Sequence, residues 1–346
     1  MLVRTNGLCV LAVLALIGLA APAAGEDQPA PAAGPEPVCV TPIPGITPDN
    51  YPRVNGSTST TPLGHLLALR ALGYRGELRP STTAQRLIGG PPVKVEPVGP
   101  PATSLYIRGE LQLFHTKARH EGTHAAYVSL ITGKSQMILV ARKPSDDEIK
   151  EAAERNVELD IRPVALDGFV FLVNAKNPVD SLTMEQIRGI YTGKVTNWKE
   201  LGGSDAPIEA YTRNRNSGSQ ELMEKLVMKG LKMIDAPDRM LMGMAGPIDM
   251  VSQSPNAIGY SVYYYEHVMH KRPENKLLGI NGVKPSSETI SARDYPLVTD
   301  VFVVARKHTD PNSPEALLRD WLLSEDGQKL VAQSGYVPFT PREETD

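Results

Sequence analysis

The 346-residue chain is long enough for two domains or one large domain. Its apolar fraction of 41% and charged fraction of 22% are typical of a soluble globular protein. The formal net charge of −3 provides no overall basic surface, which argues against nucleic acid as a partner. Any site for an anion must therefore be local.

The N-terminus has the pattern of a secretory signal. Arg4 precedes an apolar run from Leu8 to Ala20, and small residues continue to Gly25. This pattern predicts a signal peptide over residues 1–25. The run is too short to favour a permanent membrane helix, so we expect the mature chain in the periplasm or outside the cell.

Cysteine use and composition describe the segment that follows. Cys9 would leave with the signal, so Cys39 would be a lone thiol and no intramolecular disulfide is expected. Neither cysteine follows the small apolar run that precedes a lipoprotein cysteine, which argues against a lipid anchor. Proline and alanine dominate residues 26–49, which we interpret as an extended linker.

Two similar turns open the folded part, which begins near Val54. Glycine and hydroxyl residues fill positions 56–61 and precede an apolar helical run, with Pro62 near the first helical position. Residues 121–123, Glu-Gly-Thr, precede a second helical pattern that Gly133 closes. Each pattern predicts a helix that starts from a glycine and hydroxyl turn.

Between these turns, prolines interrupt any long element over residues 74–110, which predicts an insertion with short strands such as 93–96. Elsewhere, strands are predicted over 110–115, 137–141, 161–174, 208–211, 257–262 and 298–305, and helices over 145–156, 181–193, 313–323 and 327–334. Strands that alternate with helices predict an α/β architecture with mainly parallel sheets.

A third turn lies at residues 217–219, Ser-Gly-Ser, and opens a predicted helix that Gly230 ends. Its first serine and Gln220 fit a capping box, and Arg213 and Arg215 lie just upstream. The first amide N–H groups of a helix are unpaired and lie at the positive end of its dipole, so they favour anions. If the three turns converge, they form a pocket of neutral donors around one oxyanion, with Arg213 supplying charge.

Several spaced motifs resemble the phosphate-binding substrate proteins of ABC transporters, the PstS-like group of type II periplasmic binding proteins. The matching segments are 163–168, 173–174, 177–178, 182–183, 190–193, 196–198, 201–203, 213–219 and 257–260. The resemblance implies an α/β fold of two lobes joined by a two-stranded hinge, with the ligand between the lobes. Lobe 1 would comprise residues 50–165 and 297–346, and lobe 2 residues 166–296.

The resemblance also implies a set of phosphate contacts. They fall on Ser57, Thr58 and Ser59 of the first turn, Thr123 of the second turn, Arg213, and Ser217, Gly218 and Ser219 of the third turn. Arg142 and Arg215 complete the set, at positions where high-affinity members of the family carry carboxylates. Those carboxylates accept a proton from phosphate and reject sulfate, so their replacement is expected to weaken that discrimination. The extra arginines leave open a dianion, an organic phosphate or sulfate as the ligand.

Other functions have weaker signals. His115, His120 and His124 lack a convincing set of partners for a metal, and we interpret them, like His267 and His270, as solvated or capping side chains. A secreted serine hydrolase with Ser217 as nucleophile lacks both a Gly-x-Ser-x-Gly elbow and a suitably placed histidine. We therefore expect a binding protein without cofactor or metal, monomeric, with an ABC permease as partner. A sensor or scavenger on the same fold remains the alternative.

Overall fold

A computed structural model describes residues 43–47, 49–71, 77–78, 93–94 and 116–340. The predicted signal peptide, most of the predicted linker with Cys39, His115 and the predicted strand at 110–115 lie outside the described residues. Within the described ranges, no helix has the length and apolar character needed to cross a bilayer.

The strands of the described ranges are β1 Val54–Gly56, β2 Glu77–Leu78, β3 Val93–Lys94, β4 Met137–Val140, β5 Leu159–Asn174, β6 Ser181–Leu182, β7 Glu209–Ala210, β8 Thr212–Arg213, β9 Met240–Leu241, β10 Ala257–Val262, β11 Asn275–Leu277, β12 Gly279–Ile280, β13 Val298–Arg306 and β14 Val337–Pro338. The α-helices are α1 Thr61–Ala71, α2 Thr123–Ile131, α3 Asp146–Glu154, α4 Met184–Tyr191, α5 Gly218–Leu222, α6 Gly246–Gln253, α7 Ser287–Ser291, α8 Pro314–Leu323 and α9 Glu325–Gln333.

The main sheet has the strand order β1-β4-β13-β5-β10-β7, with β11 and β14 also paired to β5. The α/β class is confirmed, but the prediction of mainly parallel sheets is wrong. Only β1 with β4 and β10 with β7 are parallel in this sheet, whereas every pairing of β5 is antiparallel. The reason is that β5 and β13 run side by side in opposite directions, which no sequence of simple parallel crossovers produces.

The long strand β5 belongs to both lobes. Residues 159–168 pair with β13, and residues 169–174 pair with β10 and β11, so the neighbours change after Gly168. We call the elements around β1, β4, β13 and the first part of β5 lobe 1, and those around β7, β10 and the second part of β5 lobe 2. The predicted long apolar strand is confirmed, since β5 is buried from Val164 to its end.

The C-terminal helices pack back onto lobe 1, as expected. The guanidinium of Arg319 on α8 lies 2.9 Å from the carboxylate of Asp160 on β5. The side-chain amide of Gln328 on α9 donates to the carbonyl of Val164 at 3.1 Å. The C-terminal helices therefore pack against the part of β5 that belongs to lobe 1.

The helix predicted to start at the third turn, residues 217–219, differs in form from the expected one. An α-helix covers only Gly218–Leu222, and a π-helix continues over Met223–Met228. Lys229, with a φ of 49°, ends it one residue before the predicted Gly230. The capping box is half formed, because Ser217 accepts from the amide of Gln220 while the Gln220 side chain contacts Tyr260 instead.

Candidate functional site

Two of the three turns meet within lobe 1. The hydroxyl of Ser57, which precedes a 3-10 turn at Thr58–Thr60, lies 2.8 Å from the hydroxyl of Thr123 at the start of α2. The amide of Ala141, just after β4, donates to the Ser57 hydroxyl at 3.1 Å. Both hydroxyls are buried, and the amide of Gly122 donates to the carbonyl of Gly56 at 3.1 Å, which holds the two helix starts side by side.

The third turn reaches them from lobe 2. A Cβ atom added at Gly218 would lie 2.7 Å from the Thr123 hydroxyl oxygen, closer than atoms normally approach. Gly218 does not have a positive φ, so the glycine is required by this close approach and not by backbone conformation. The three turns therefore meet in the structure, which is the condition on which the expected pocket depends.

Each turn presents unpaired amides. The first amides of α2 and α5 have no acceptor within their own helices, and the Ser217 hydroxyl uses only the Gln220 amide. The amides of Gly218 and Ser219 thus point, with the positive ends of the helix dipoles, toward the place where the turns meet. Ser59 and Ser219 are buried and Thr58 is half-buried beside them.

Arg213, on β8 four residues before the third turn, carries a buried positive charge. Its side chain donates to two main-chain carbonyls, from Nε to Leu241 at 2.9 Å and from Nη2 to Met242 at 3.1 Å. Burial lowers the pKa of the guanidinium from its ordinary value, with Tyr260 and Tyr265 acting in the opposite direction. Among the described residues no carboxylate pairs with Arg213. A bound anion would supply the missing countercharge.

Arg142 is placed differently from the prediction. Its two Nη atoms donate to both oxygens of Glu148, at 2.8 and 2.9 Å, and to Glu221 at 3.2 Å. Nη1 also donates to the carbonyl of Lys143 at 2.9 Å, so all four Nη hydrogens have acceptors. Burial alone would lower the pKa of Arg142, but the hydrogen bonds and charge of Glu148 outweigh it and raise the pKa. Three of the four Nη hydrogens are therefore committed to carboxylates of the protein and one to a main-chain carbonyl, whereas Nε is buried without an acceptor among the described residues.

Sequence reasoning missed Glu148 and Glu221 as neighbours of the site. Glu148 caps α3, since it accepts from the amide of Ser145 at 2.9 Å. Its complete burial, with Arg142 six residues earlier, is the signal that a spacing rule does not carry. Glu221 lies one turn into α5, where its side chain reaches back across the gap between the lobes.

Arg215 lies away from the buried turns. Its side chain is exposed, and together with Asn216 it lines a cleft of about 740 Å³. The opposite wall of the cleft comes from Arg142 and Lys143 after β4, and Thr299 on β13 also lines it.

The histidines do not behave as predicted. His120 packs against Gly56 and Gly64, where an added Cβ would lie 2.8 and 2.5 Å from its ring, and burial lowers its pKa to about 3. His124 and His270 lie 3.0 Å from the carboxylates of Glu148 and Asp249. The interpretation as solvated or capping side chains is therefore wrong for His120 and His270, whereas the side chain of His124 is 34% exposed. In the part of the chain that the structure describes, no group of three or more histidine, cysteine or acidic residues is placed to hold a metal.

Comparison with known families gives a match over most of the chain. A family model described as a PBP superfamily domain matches residues 111–325. Among curated proteins, the phosphate-binding protein PstS of Bacillus subtilis is 30% identical over 196 residues, which cover 56% of this chain and 62% of the relative. The PstS of Staphylococcus epidermidis is 28% identical over 228 residues, which cover 62% of this chain and 67% of the relative.

Two solved structures share the fold. A putative phosphate ABC transporter substrate-binding protein from Clostridium perfringens, with bound phosphate, has a TM-score of 0.60 and 24% identity over 84% of this chain and 100% of its own. An ABC-type phosphate transport receptor from Vibrio cholerae has a TM-score of 0.55 and 23% identity over 83% and 99%. The two-lobed fold of periplasmic binding proteins expected from the sequence is thus confirmed.

Proposed function

Because the chain belongs to the PBP superfamily domain family, we propose that it is a secreted substrate-binding protein that holds phosphate between its two lobes for uptake by an ABC transporter. Its similarity to proteins named phosphate-binding protein PstS supports the ligand. The observation that carries the proposal is the buried charge of Arg213, which has no carboxylate partner among the described residues and lies on β8, four residues before the third of the converging turns.

The arrangement suits a small oxyanion of tetrahedral shape. Amides of the turns at Thr58, Thr123 and Gly218 would donate to its oxygens from three directions, and Arg213 would supply a charged hydrogen bond. The hydroxyls of Ser57 and Thr123, which bond to each other in this structure, would turn toward the ligand. Arg142 and Arg215 would act at the border of the site and not at its centre.

Binding would couple to movement of the lobes. We propose that lobe 1 comprises residues 50–165 and 297–346 and that lobe 2 comprises residues 166–296. The two lobes would rotate relative to each other about β5, at the point where the strands paired with β5 change. An anion contacts turns of both lobes only when they are together, so it would favour the closed state. Export on the signal at residues 1–25, a monomeric state and a permease partner belong to the same proposal.

The test is calorimetric titration of the mature protein with phosphate and with sulfate, after unfolding and refolding to remove carried ligand. Phosphate binding that exceeds sulfate binding is expected. Titrations on either side of the second pKa of phosphate identify the bound protonation state, because the carboxylates of other family members are replaced here by arginines. Absence of heat with every oxyanion, from a protein with an intact thermal transition, would refute the proposal.

A second candidate ligand is an organic phosphate, for a protein with a sensing or scavenging role. The observation in its favour is the cleft of about 740 Å³ beside Arg215, which is far larger than a phosphate ion. Competition by glycerol phosphate against inorganic phosphate separates the two. Displacement at equal or lower concentration would favour the ester.

A further inference from the structure

An ion pair crosses the gap between the lobes beside the candidate site. Arg142 follows β4 in lobe 1, and Glu221 belongs to α5 in lobe 2; their side chains are 3.2 Å apart. The Arg142 side chain is buried and that of Glu221 is mostly buried, which reduces screening by solvent and salt.

Arg142 is fixed firmly on the side of lobe 1. Glu148, which is fully buried, grips the guanidinium through two hydrogen bonds at 2.8 and 2.9 Å. The Tyr127 hydroxyl donates to the Arg142 carbonyl at 2.9 Å, and the guanidinium lies 5.6 Å from the centre of the Tyr127 ring. Arg142 therefore cannot follow Glu221 when the lobes separate, so opening must break the pair.

Glu221 is attached just as directly to the third turn. Its amide donates to the carbonyl of Ser217 at 3.1 Å, within the first turn of α5. The same turn holds Gly218 against Thr123. A force that holds Glu221 toward Arg142 therefore also holds the amides of the third turn at the place where the oxyanion would bind.

We propose that Glu221 is a positioning residue whose ion pair with Arg142 fastens lobe 2 onto lobe 1 and slows release of the bound oxyanion. The identity of the ligand in this inference rests on the proposed function. The contact between the lobes that Glu221 makes with Arg142 does not. The inference also predicts an unusual direction for the effect of this carboxylate on anion affinity. A carboxylate beside an anion site would by its charge alone weaken anion binding, whereas a fastening carboxylate strengthens it.

The test compares Glu221→Gln with Glu224→Gln. Both substitutions remove one negative charge from the same turn of chain, but Glu224 accepts only from the Gln220 side chain at 2.8 Å and forms no ion pair with the described residues. For Glu221→Gln we expect phosphate to bind about fivefold more weakly, with the change in the dissociation rate and not in the association rate. For Glu224→Gln both rates should remain within about twofold of the parent.

A second measurement needs no ligand. Small-angle scattering of the unliganded proteins should give a larger radius of gyration for Glu221→Gln than for Glu224→Gln, because the open state gains population. If the parent protein binds no oxyanion, the proposed function fails, and this comparison alone decides the role of Glu221.

Two results would overturn the inference. One is phosphate affinity that is unchanged or higher in Glu221→Gln; the other, for a protein that binds no oxyanion, is equal radii of gyration for the two variants. If Glu221→Gln does not fold, Glu221→Asp keeps the charge on a side chain too short to span the gap, and the same two outcomes apply.

Discussion

Arg142, just after β4, and Arg213, on β8, are two buried arginines with exposed fractions of 6% and 7%. Arg142 is gripped by Glu148 and also meets Glu221. Arg213 meets only main-chain carbonyls. The two arginines are thus equally buried but differ in countercharge. Carboxylates of the protein balance the charge of Arg142, whereas the charge of Arg213 is left for a ligand to balance.

The difference shows that a buried arginine is not by itself evidence of an anion site. What matters is whether the folded chain already supplies the countercharge. For Arg142 the protein does so, and the residue stabilises the fold. For Arg213 it does not, so we expect this residue to cost folding free energy and to contribute binding free energy.

Replacement of Arg213 should have the largest effect on phosphate affinity. Arg213→Met removes the charge but keeps a long apolar side chain, so phosphate affinity should fall by about 3 kcal/mol or more, over a hundredfold. The free energy of unfolding should be unchanged or higher, because an unbalanced buried charge is removed. Calorimetry and urea unfolding measure the two effects. Arg239→Met, at a partly exposed arginine beside Asp238, is the control and should change neither.

The matching change at Arg142 should act on stability. Arg142→Met leaves Glu148 buried without its main partner, which is expected to cost about 3 kcal/mol of unfolding free energy. The cost is limited because Glu148 keeps contacts with His124 and the Ser145 amide. Urea unfolding near neutral pH measures it. Arg155→Met breaks an exposed pair with Glu151 and should cost less than about 0.5 kcal/mol; equal costs would contradict the assignment.

A buried carboxyl group, that of Asp167, extends the comparison of buried charged groups. Asp167 lies on β5 next to Gly168, and its carboxylate accepts from the Gly168 and Tyr264 amides at 2.8 and 2.9 Å. Burial raises its pKa to about 7, despite these hydrogen bonds. Like Arg213, it has no partner of opposite charge among the described residues.

The pH dependence of stability follows from that pKa. The unfolded chain has a carboxyl pKa of about 4, so between about pH 4 and 7 the folded chain binds more protons and the free energy of unfolding falls as pH rises. Asp167→Asn removes this contribution and should be more stable than the parent above about pH 7, on the order of 2 kcal/mol. The difference should vanish near about pH 4. Urea unfolding across this range measures it, and a constant difference at all pH values would count against ionisation as the cause.

The smallest effect is expected at the contact between the lobes. Gly218→Ala places a methyl group against the Thr123 hydroxyl, so the third turn must shift and phosphate affinity should fall by about 1 kcal/mol, roughly fivefold. The matched control is Gly243→Ala, because an added Cβ there meets nothing within 4 Å. Equal affinities of the two variants would show that the close approach does not position the amides.

Local patterns in the sequence were enough for much of the fold. Helix starts at Thr61, Thr123 and Asp146, and the buried strand β5, follow from turn chemistry and apolar runs. The convergence of the three turns was expected only as a condition and from resemblance, because turn chemistry says where a helix begins and not which helices meet. The direction of strand pairing was missed because β5 and β13 are distant in the chain.

The site shows the same division. The hydroxyl and glycine turns could be found from short motifs, but the partners of Arg142 could not, since Glu221 comes from the other lobe. His120 was misjudged because its burial depends on two glycines, Gly56 and Gly64, that leave room for its ring. Charge balance is a property of the folded neighbourhood, and a list of residue types does not contain it.

The path of β13 has a consequence for how the molecule assembles. Its residues fill the position between β4 and β5 in lobe 1, although they come near the end of the chain. Lobe 1 therefore stays incomplete until almost all of the polypeptide is available, whereas β10 and β11 of lobe 2 can pair with the second part of β5 earlier. Pairings between distant segments form slowly because a large loop must first be closed. The connectivity therefore predicts that lobe 2 forms before lobe 1.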